Sequence, residues 1–318
     1  VTEAFVRPDV ATFLSYLNSV PGPKVHELKP ADAREMVRAM RGVADLDTGP
    51  LAVLRDLVMP GPDGGEIALR VFDARAHRAP GPVMVFFHGG GWVLGDLDSY
   101  EAVCAAIARG LDMPVVSVDY RLAPEHPWPA GPEDCEAAAR WVAEAPEALG
   151  LQPAGLVLAG DSAGGTLAIV ATIALRDKPA AVPVIAHWAI YPAADLVTHY
   201  PSYAEFKTGF FLTDEAMRWF SDSYRPDASD WRGSPMQAPL AGLPPALVTT
   251  ASLDPIRDQG RAYAGALAQA GVTVSFREAA GNIHGFLNLR RAIPSSNADL
   301  AVSLAALNAL LAETGQSS

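Results

Sequence analysis

The chain has 318 residues, 50% of them hydrophobic, with 24 basic against 36 acidic side chains and a formal net charge of −12. That length and apolar content predict a folded protein with a large core and exclude a disordered chain. The acidic balance argues against nucleic acid or an anionic membrane as the main partner and favours a small neutral or apolar ligand.

Cys104 and Cys135 fall in expected helices without Cys-x-x-Cys spacing, which predicts buried reduced thiols rather than a disulfide framework or a zinc site. No run of about twenty apolar residues occurs. Acidic Glu3 and Asp9 stand where a signal peptide wants basic residues, so a cytoplasmic protein without stable membrane insertion is expected.

In chain order, two short amphipathic helices are expected over Val10 to Leu17 and Ala31 to Met40, separated by Pro21-Gly22-Pro23. Their apolar stripes need cover from another part of the molecule. An antiparallel pair follows, Leu54 to Met59 and Glu66 to Phe72, around Pro60-Gly61-Pro62-Asp63-Gly64-Gly65. From Val83 onward short apolar runs alternate with helical segments, the pattern of a mainly parallel sheet covered on both faces. The runs are Val83 to Phe87, Val115 to Val118, Leu156 to Ala159, Val184 to Ile190, Ala246 to Ala251 and Val272 to Phe276. Helices are expected over Tyr100 to Gly110, Pro132 to Ala143, Ala163 to Arg176, Asp258 to Ala270 and Ser296 to Leu311. The interval from Pro192 to Leu243 is too long and too aromatic for a simple crossover and reads as an insertion. Within it, Thr213-Asp214-Glu215 marks the start of a helix over Ala216 to Phe220.

The stretch Leu156 to Val170 places one serine between a buried strand and a buried helix, as Gly160-Asp161-Ser162-Ala163-Gly164. This is the Gly-x-Ser-x-Gly pattern, in which the glycines permit a sharp reversal that exposes the hydroxyl at a helix N-terminus. A serine hydroxyl needs a base. Of the three histidines that follow it, His187 lies inside an apolar strand and His199 in the insertion. His284, in Gly281-Asn282-Ile283-His284-Gly285 after the last strand, is the candidate. The imidazole in turn wants a buried carboxylate. Asp254 follows a strand directly; Asp258 stands where a helix-start acid would, and Glu278 past a strand near the sheet edge. Asp254 is preferred. His88-Gly89-Gly90-Gly91-Trp92 follows the Val83 to Phe87 strand without a gap, placing backbone N–H groups for an oxyanion alongside that of Ala163. Tyr120 to Glu125 reads as a structural loop in which Arg121 and Glu125 form a buried ion pair.

Together with Asp119-Tyr120-Arg121-Leu122-Ala123-Pro124-Glu125, Asp254-Pro255-Ile256-Arg257-Asp258 and His284-Gly285-Phe286, these motifs run in one order over nearly the whole chain. In this the chain resembles the hormone-sensitive-lipase-like (bacterial family IV) esterases of the α/β-hydrolase superfamily. The resemblance implies an α/β-hydrolase fold, with an eight-stranded, mostly parallel sheet, helices on both faces and a helical cap. It implies residues 1–47 and 192–243 as cap, and 48–191 with 244–318 as catalytic domain. It further implies Ser162, Asp254 and His284 as triad and the N–H groups of Gly89, Gly90 and Ala163 as oxyanion hole. Gln259 and Thr166 depart from residues common in the family, at support positions.

The expected activity is hydrolysis of short- to medium-chain acyl esters through an acyl-enzyme. Trp92, Tyr191, Phe211 and Phe286 are candidate pocket residues. No cofactor and no metal are implied, because phosphate-loop, dinucleotide and zinc-protease spacings are missing. Relatives of the family also include small-molecule receptors that close on a ligand without hydrolysis, but a receptor need not retain His284. An amidase or lactonase would use the same three residues. The strand over residues 272–276 is expected at a sheet edge, where a homodimer would pair.

Overall fold

A computed structural model describes residues 4–313 and 315; Glu3 and the last residues of the expected catalytic segment lie outside the described residues. The elements are α1 (Pro8–Ser19), α2 (Pro30–Ala44), β1 (Val53–Pro60), β2 (Glu66–Asp73), β3 (Gly81–Phe87), α3 (Glu101–Leu111), β4 (Val115–Asp119), α4 (Ala130–Ala143), β5 (Pro153–Asp161), α5 (Ala163–Asp177), β6 (Val184–Ile190), α6 (Pro201–Phe206), α7 (Asp214–Tyr224), β7 (Ala246–Leu253), α8 (Arg257–Gln269), β8 (Val274–Ile283) and α9 (Ser296–Glu313).

The strands form one eight-stranded sheet in the order β1-β2-β4-β3-β5-β6-β7-β8. β1 and β2 pair antiparallel, β2 meets β4 antiparallel, and every later pairing is parallel. Side chains alternate across a strand, so a continuous apolar run feeds two cores at once. In β3, Val83, Val85 and Phe87 join α4 and α5 residues such as Ala138, Val142 and Leu167 on one face. Met84 and Phe86 join Val103, Ile107, Leu304 and Leu307 of α3 and α9 on the other. β5 divides in the same way, Leu156 and Leu158 to the first face, Val157 and Ala159 to the second. Each buried Val, Leu, Ile, Met or Phe among them contributes about 1.5–3 kcal/mol relative to exposure.

Both N-terminal helices begin on proline, Pro8 and Pro30, whose fixed φ and missing N–H suit the first helical position. Buried Val10 and Leu14 of α1 cluster with Phe206 of the insertion and with Leu253, Ile283 and Leu289. α2 is held by charge. Arg34 donates to the Val93 and Ala123 carbonyls, each at 2.8 Å, and Arg38 pairs with Asp96 at 2.6 Å. Just past α2, Asp45 and Arg290 form a two-bonded ion pair, each side chain only 3% exposed.

Two expectations are corrected here. Arg121 and Glu125 do not pair. The Arg121 guanidinium turns inward to fully buried Asp134 of α4, while the chain reversal closed by His126 N–H on the Leu122 carbonyl carries Glu125 out to Arg34 of α2. The last strand runs over residues 274–283 rather than 272–276, because β7 continues to Leu253 and offers Ile283 a partner across an irregular step. β8 does lie at the sheet edge. Among the described residues no helix is long and apolar enough to cross a membrane.

Candidate active site

Ser162 joins β5 to α5 with φ 53° and ψ −119°, a conformation that costs a non-glycine residue roughly 1–3 kcal/mol. Its neighbours hold it there. The Ser162 N–H donates to the Ile190 carbonyl at 2.8 Å, and a Cβ on Gly164 would stand 1.9 Å from the Phe87 carbonyl oxygen. A Cβ on Gly160 would stand 2.3 Å from the Gly164 oxygen. The two glycines therefore let strand, turn and oxyanion loop approach to backbone contact.

Asp254 follows β7 and is fully buried, with Oδ1 accepting the Ile256 N–H at 2.9 Å. Its Oδ2 lies 2.7 Å from His284 Nδ1, and His284 Nε2 lies 2.8 Å from Ser162 Oγ. A proton on Nδ1 bound to the carboxylate leaves Nε2 free to accept from the hydroxyl. The Tyr191 ring packs against His284 at 4.7 Å, and Phe286 packs edge-on to Tyr191 at 5.3 Å. The other candidates are engaged elsewhere. Glu278 sits inside β8, accepting from Thr250 and Arg261; Asp258 accepts from the Ser202 N–H at the start of α8; His187 Nε2 meets Tyr263 Oη at 2.8 Å; and His199 stacks on Tyr203.

The oxyanion loop differs from expectation at one residue. The Gly89 N–H is directed at buried Asp161 Oδ1, 2.8 Å away, with Tyr100 Oη also at 3.0 Å, so it is not free for an oxyanion. The N–H groups of Gly90 and Gly91 have no acceptor among the described residues, and that of Ala163, in the first turn of α5, has no intrahelical one. Gly91, not singled out from the sequence as a donor, has the open N–H that Gly89 lacks. His88 anchors the loop from below: fully buried, its ring stacks on Tyr120 at 4.4 Å and Tyr120 Oη donates to the His88 carbonyl at 2.7 Å. Burial pushes the His88 imidazole down to about 4, so it stays neutral.

Asp161 fills a variable place in the Gly-x-Ser-x-Gly pattern, which carries no sign of its role. It accepts from Gly89, from Tyr100 Oη at 3.0 Å and from Tyr191 Oη at 3.3 Å. Burial pushes its carboxyl up to about 6, and these donors together with His284 act against that. Gln259 and Thr166 brace the surroundings, the first accepting the Asp195 N–H at 2.9 Å, the second donating to the Ala193 carbonyl at 2.9 Å.

Of the pocket candidates, Tyr191 and Phe286 are buried behind His284, and Trp92 stacks on Tyr224 of α7 at 4.3 Å. Phe211 is 42% exposed, packs on Phe13 and sets its ring against Gly285, beside His284. Phe220, not singled out from the sequence as a pocket residue, lies directly on Gly91, where a Cβ would meet its ring at 2.2 Å.

A parallel α/β sheet that presents a strained serine, a histidine, a buried aspartate and unfilled N–H donors at the carboxyl ends of its strands defines an α/β-type serine hydrolase. The α/β-hydrolase-fold family model matches residues 84–288. The carboxylic ester hydrolase LipN of Mycobacterium tuberculosis is 42% identical over 262 residues, 79% of this chain and 69% of its own. Esterase LipI of the same organism is 37% identical over 306 residues, 94% of each chain. The solved structure of an ester hydrolase from the metagenome of Lake Arreo, complexed with a derivative of bipyridine phosphonate, superposes with a TM-score of 0.91 at 34% identity, covering 98% of this chain and 99% of that one. The chain belongs to the hormone-sensitive-lipase-like esterases of the α/β-hydrolase superfamily.

Proposed function

We propose that Ser162 is the nucleophile, His284 the general base and then acid, and Asp254 the carboxylate that orients it, with the N–H groups of Gly90, Gly91 and Ala163 as oxyanion donors. The chain is a carboxylic ester hydrolase. The observation that carries the assignment of roles is the unbroken line Asp254–His284–Ser162, with spacings of 2.7 and 2.8 Å, beside three uncommitted N–H groups.

In this reading His284 Nε2 takes the Ser162 proton as Oγ bonds to the ester carbonyl carbon, and the carbonyl electron pair moves onto oxygen. Collapse of that intermediate breaks the bond to the alkoxy group, which leaves with the proton from His284. Water then attacks the acyl-enzyme by the same sequence and frees the acid. Each oxyanion donor contributes about 2.7–4 kcal/mol to the transition state. No step calls for a cofactor.

Short- to medium-chain esters are the proposed substrates, supported by aromatic rings set against the glycine loop and the histidine loop, Phe220 on Gly91 and Phe211 on Gly285. Trp92, Tyr191 and Phe286 shape the walls behind them. We assign residues 1–47 and 192–243 to a cap over a catalytic domain of 48–191 and 244–318, supported by the packing of α1 on Phe206 and of Trp92 on Tyr224. A cytoplasmic location is supported by Cys104 and Cys135, both free and buried. A homodimer through the edge strand is supported by the exposed Phe276 on β8; light scattering at the mass of one chain would end that idea.

Incubation with a fluorophosphonate is expected to add one phosphonyl group per chain, at Ser162, with loss of chromogenic acetate and butyrate ester hydrolysis in parallel. A chain that stays unlabelled and inactive would instead be a receptor on this fold; labelling at another residue would overturn the assignment of Ser162.

A further inference from the structure

We infer that Arg7, in the N-terminal segment and outside the span of the family model, is a positioning residue for the catalytic histidine. The inference rests on the reading of His284 as the base. It starts from a defect in the sheet. Ala251 pairs with Ala279 and Leu253 with Ile283, so three residues of β8, Ala280–Asn282, stand opposite the single residue Ser252. Such a bulge leaves backbone groups outside the ladder, and they need other partners. It also lies immediately before Ile283 and His284, so whatever fixes it sets the origin of the imidazole.

Arg7 supplies most of what is missing. Its Nε donates to the Ala280 carbonyl at 2.7 Å and its backbone N–H to the Gly281 carbonyl at 3.2 Å. Ser252 Oγ takes the Gly281 N–H at 2.7 Å. The rest of the guanidinium forms a two-bonded pair with Asp299 of α9, at 2.6 and 2.8 Å, and reaches Ser295 Oγ at 3.2 Å. Asp299 Oδ2 also accepts from Asn282 Nδ2 at 2.8 Å, and Asn282 Oδ1 holds the Ile283 N–H at 2.9 Å. A continuous chain of bonds thus runs from Arg7 through Asp299 and Asn282 to the residue before His284. Asn282 is fully buried, and the Arg7 and Asp299 side chains are 18% and 13% exposed, so the bonds through Asp299 and Asn282 are partly shielded from water, whereas the bond to the Ala280 carbonyl is at the surface. The planar fork of arginine is what allows one side chain to hold a carboxylate and a carbonyl at once.

A base displaced by a fraction of an ångström loses rate without losing ground-state binding, because proton transfer is made only in the transition state. Arg7→Met should therefore lower kcat for p-nitrophenyl acetate by about tenfold or more, leaving KM within about twofold. Arg7→Lys, which keeps the charge for Asp299 but cannot also hold Ala280, should fall between. Asp299→Asn should lower kcat in the same way, and the Arg7→Met/Asp299→Asn double variant should lose less than the product of the two single losses. Arg38→Met is the control, since it breaks an ionic tie of α2, between half-exposed Arg38 and Asp96, far along the chain from β8. An Arg7→Met kcat within twofold of the parent, or an equal loss in Arg38→Met, overturns the inference. If Arg7→Met does not fold, Asp299→Asn decides by the same readout. His284→Ala separates the two layers: full activity there would remove the reading of the base, whereas inactivity there with an unaffected Arg7→Met removes the positioning role alone.

Discussion

Ser162→Ala is expected to fold like the parent chain and to hydrolyse p-nitrophenyl acetate about 10⁴–10⁶-fold more slowly. The size follows from what is lost. Without Oγ there is no acyl-enzyme, and any residual rate comes from water attacking an ester still held by the proposed oxyanion donors Gly90, Gly91 and Ala163. The fold should be indifferent because Oγ bonds His284 Nε2 alone, while the strained backbone at φ 53° is secured by the Ser162 N–H on Ile190 and by the neighbouring glycines. Alanine has the same Cβ as serine and meets no new atom. Circular dichroism and thermal unfolding should match the parent; a variant that kept more than a hundredth of the parent kcat would remove Ser162 from the chemistry.

Gly164→Ala is expected to fail in the opposite way, through structure. The added methyl would stand 1.9 Å from the Phe87 carbonyl oxygen and 2.6 Å from that of His88. Both are backbone atoms of the β3 strand end and the oxyanion loop, pinned by the sheet and by Tyr120, so neither has a flexible tail that swings aside. Overpacking a well-filled core costs about 1–3 kcal/mol, and a clash with fixed backbone belongs at or above the top of that range. Relief by moving α5 away would also pull the Ala163 N–H from the oxyanion position. Urea unfolding should show a midpoint lowered by an amount equivalent to about 3 kcal/mol, with activity reduced further than the folded fraction. A midpoint unchanged within error would mean that the elbow has slack these distances do not contain.

The part of the site that was legible in the sequence is the part built from adjacent residues. The strand end, the turn and the first half of the helix around Ser162 fall within fifteen consecutive positions, Leu156 to Val170, so their apolar runs and glycines can be read in place. The loop beginning at His88 directly follows β3 for the same reason. Asp254 and His284 each follow a strand end, a position legible in the sequence, and His284 lies within hydrogen-bonding reach of both Asp254 and Ser162. The exact donor in the glycine loop was not legible. Whether the Gly89 N–H is left open depends on Asp161, 72 residues further on, and a run of three glycines carries no mark of direction.

Charged partners show the same boundary. Arg121 and Glu125 are close in sequence, yet Arg121 pairs with Asp134 and Glu125 with Arg34, 91 residues away. Arg7 and Asp299, separated by 292 positions, meet only because β8 and α9 pass beside the N-terminal segment. No local pattern announces such a pair, since a charged side chain on a helix or loop is compatible with many partners until the fold selects one.

The sequence by itself determined the sheet-and-helix alternation, the nucleophile elbow, the residue types of the site and therefore the kind of reaction, because hydrophobic period and turn chemistry act over a few neighbouring residues. Only the tertiary structure decided which N–H groups are left for the oxyanion, how the bulge before His284 is held and which rings stand on Gly91 and Gly285. Those depend on directions and distances between segments far apart in the chain, and a single hydrogen bond or methyl-sized contact decides each.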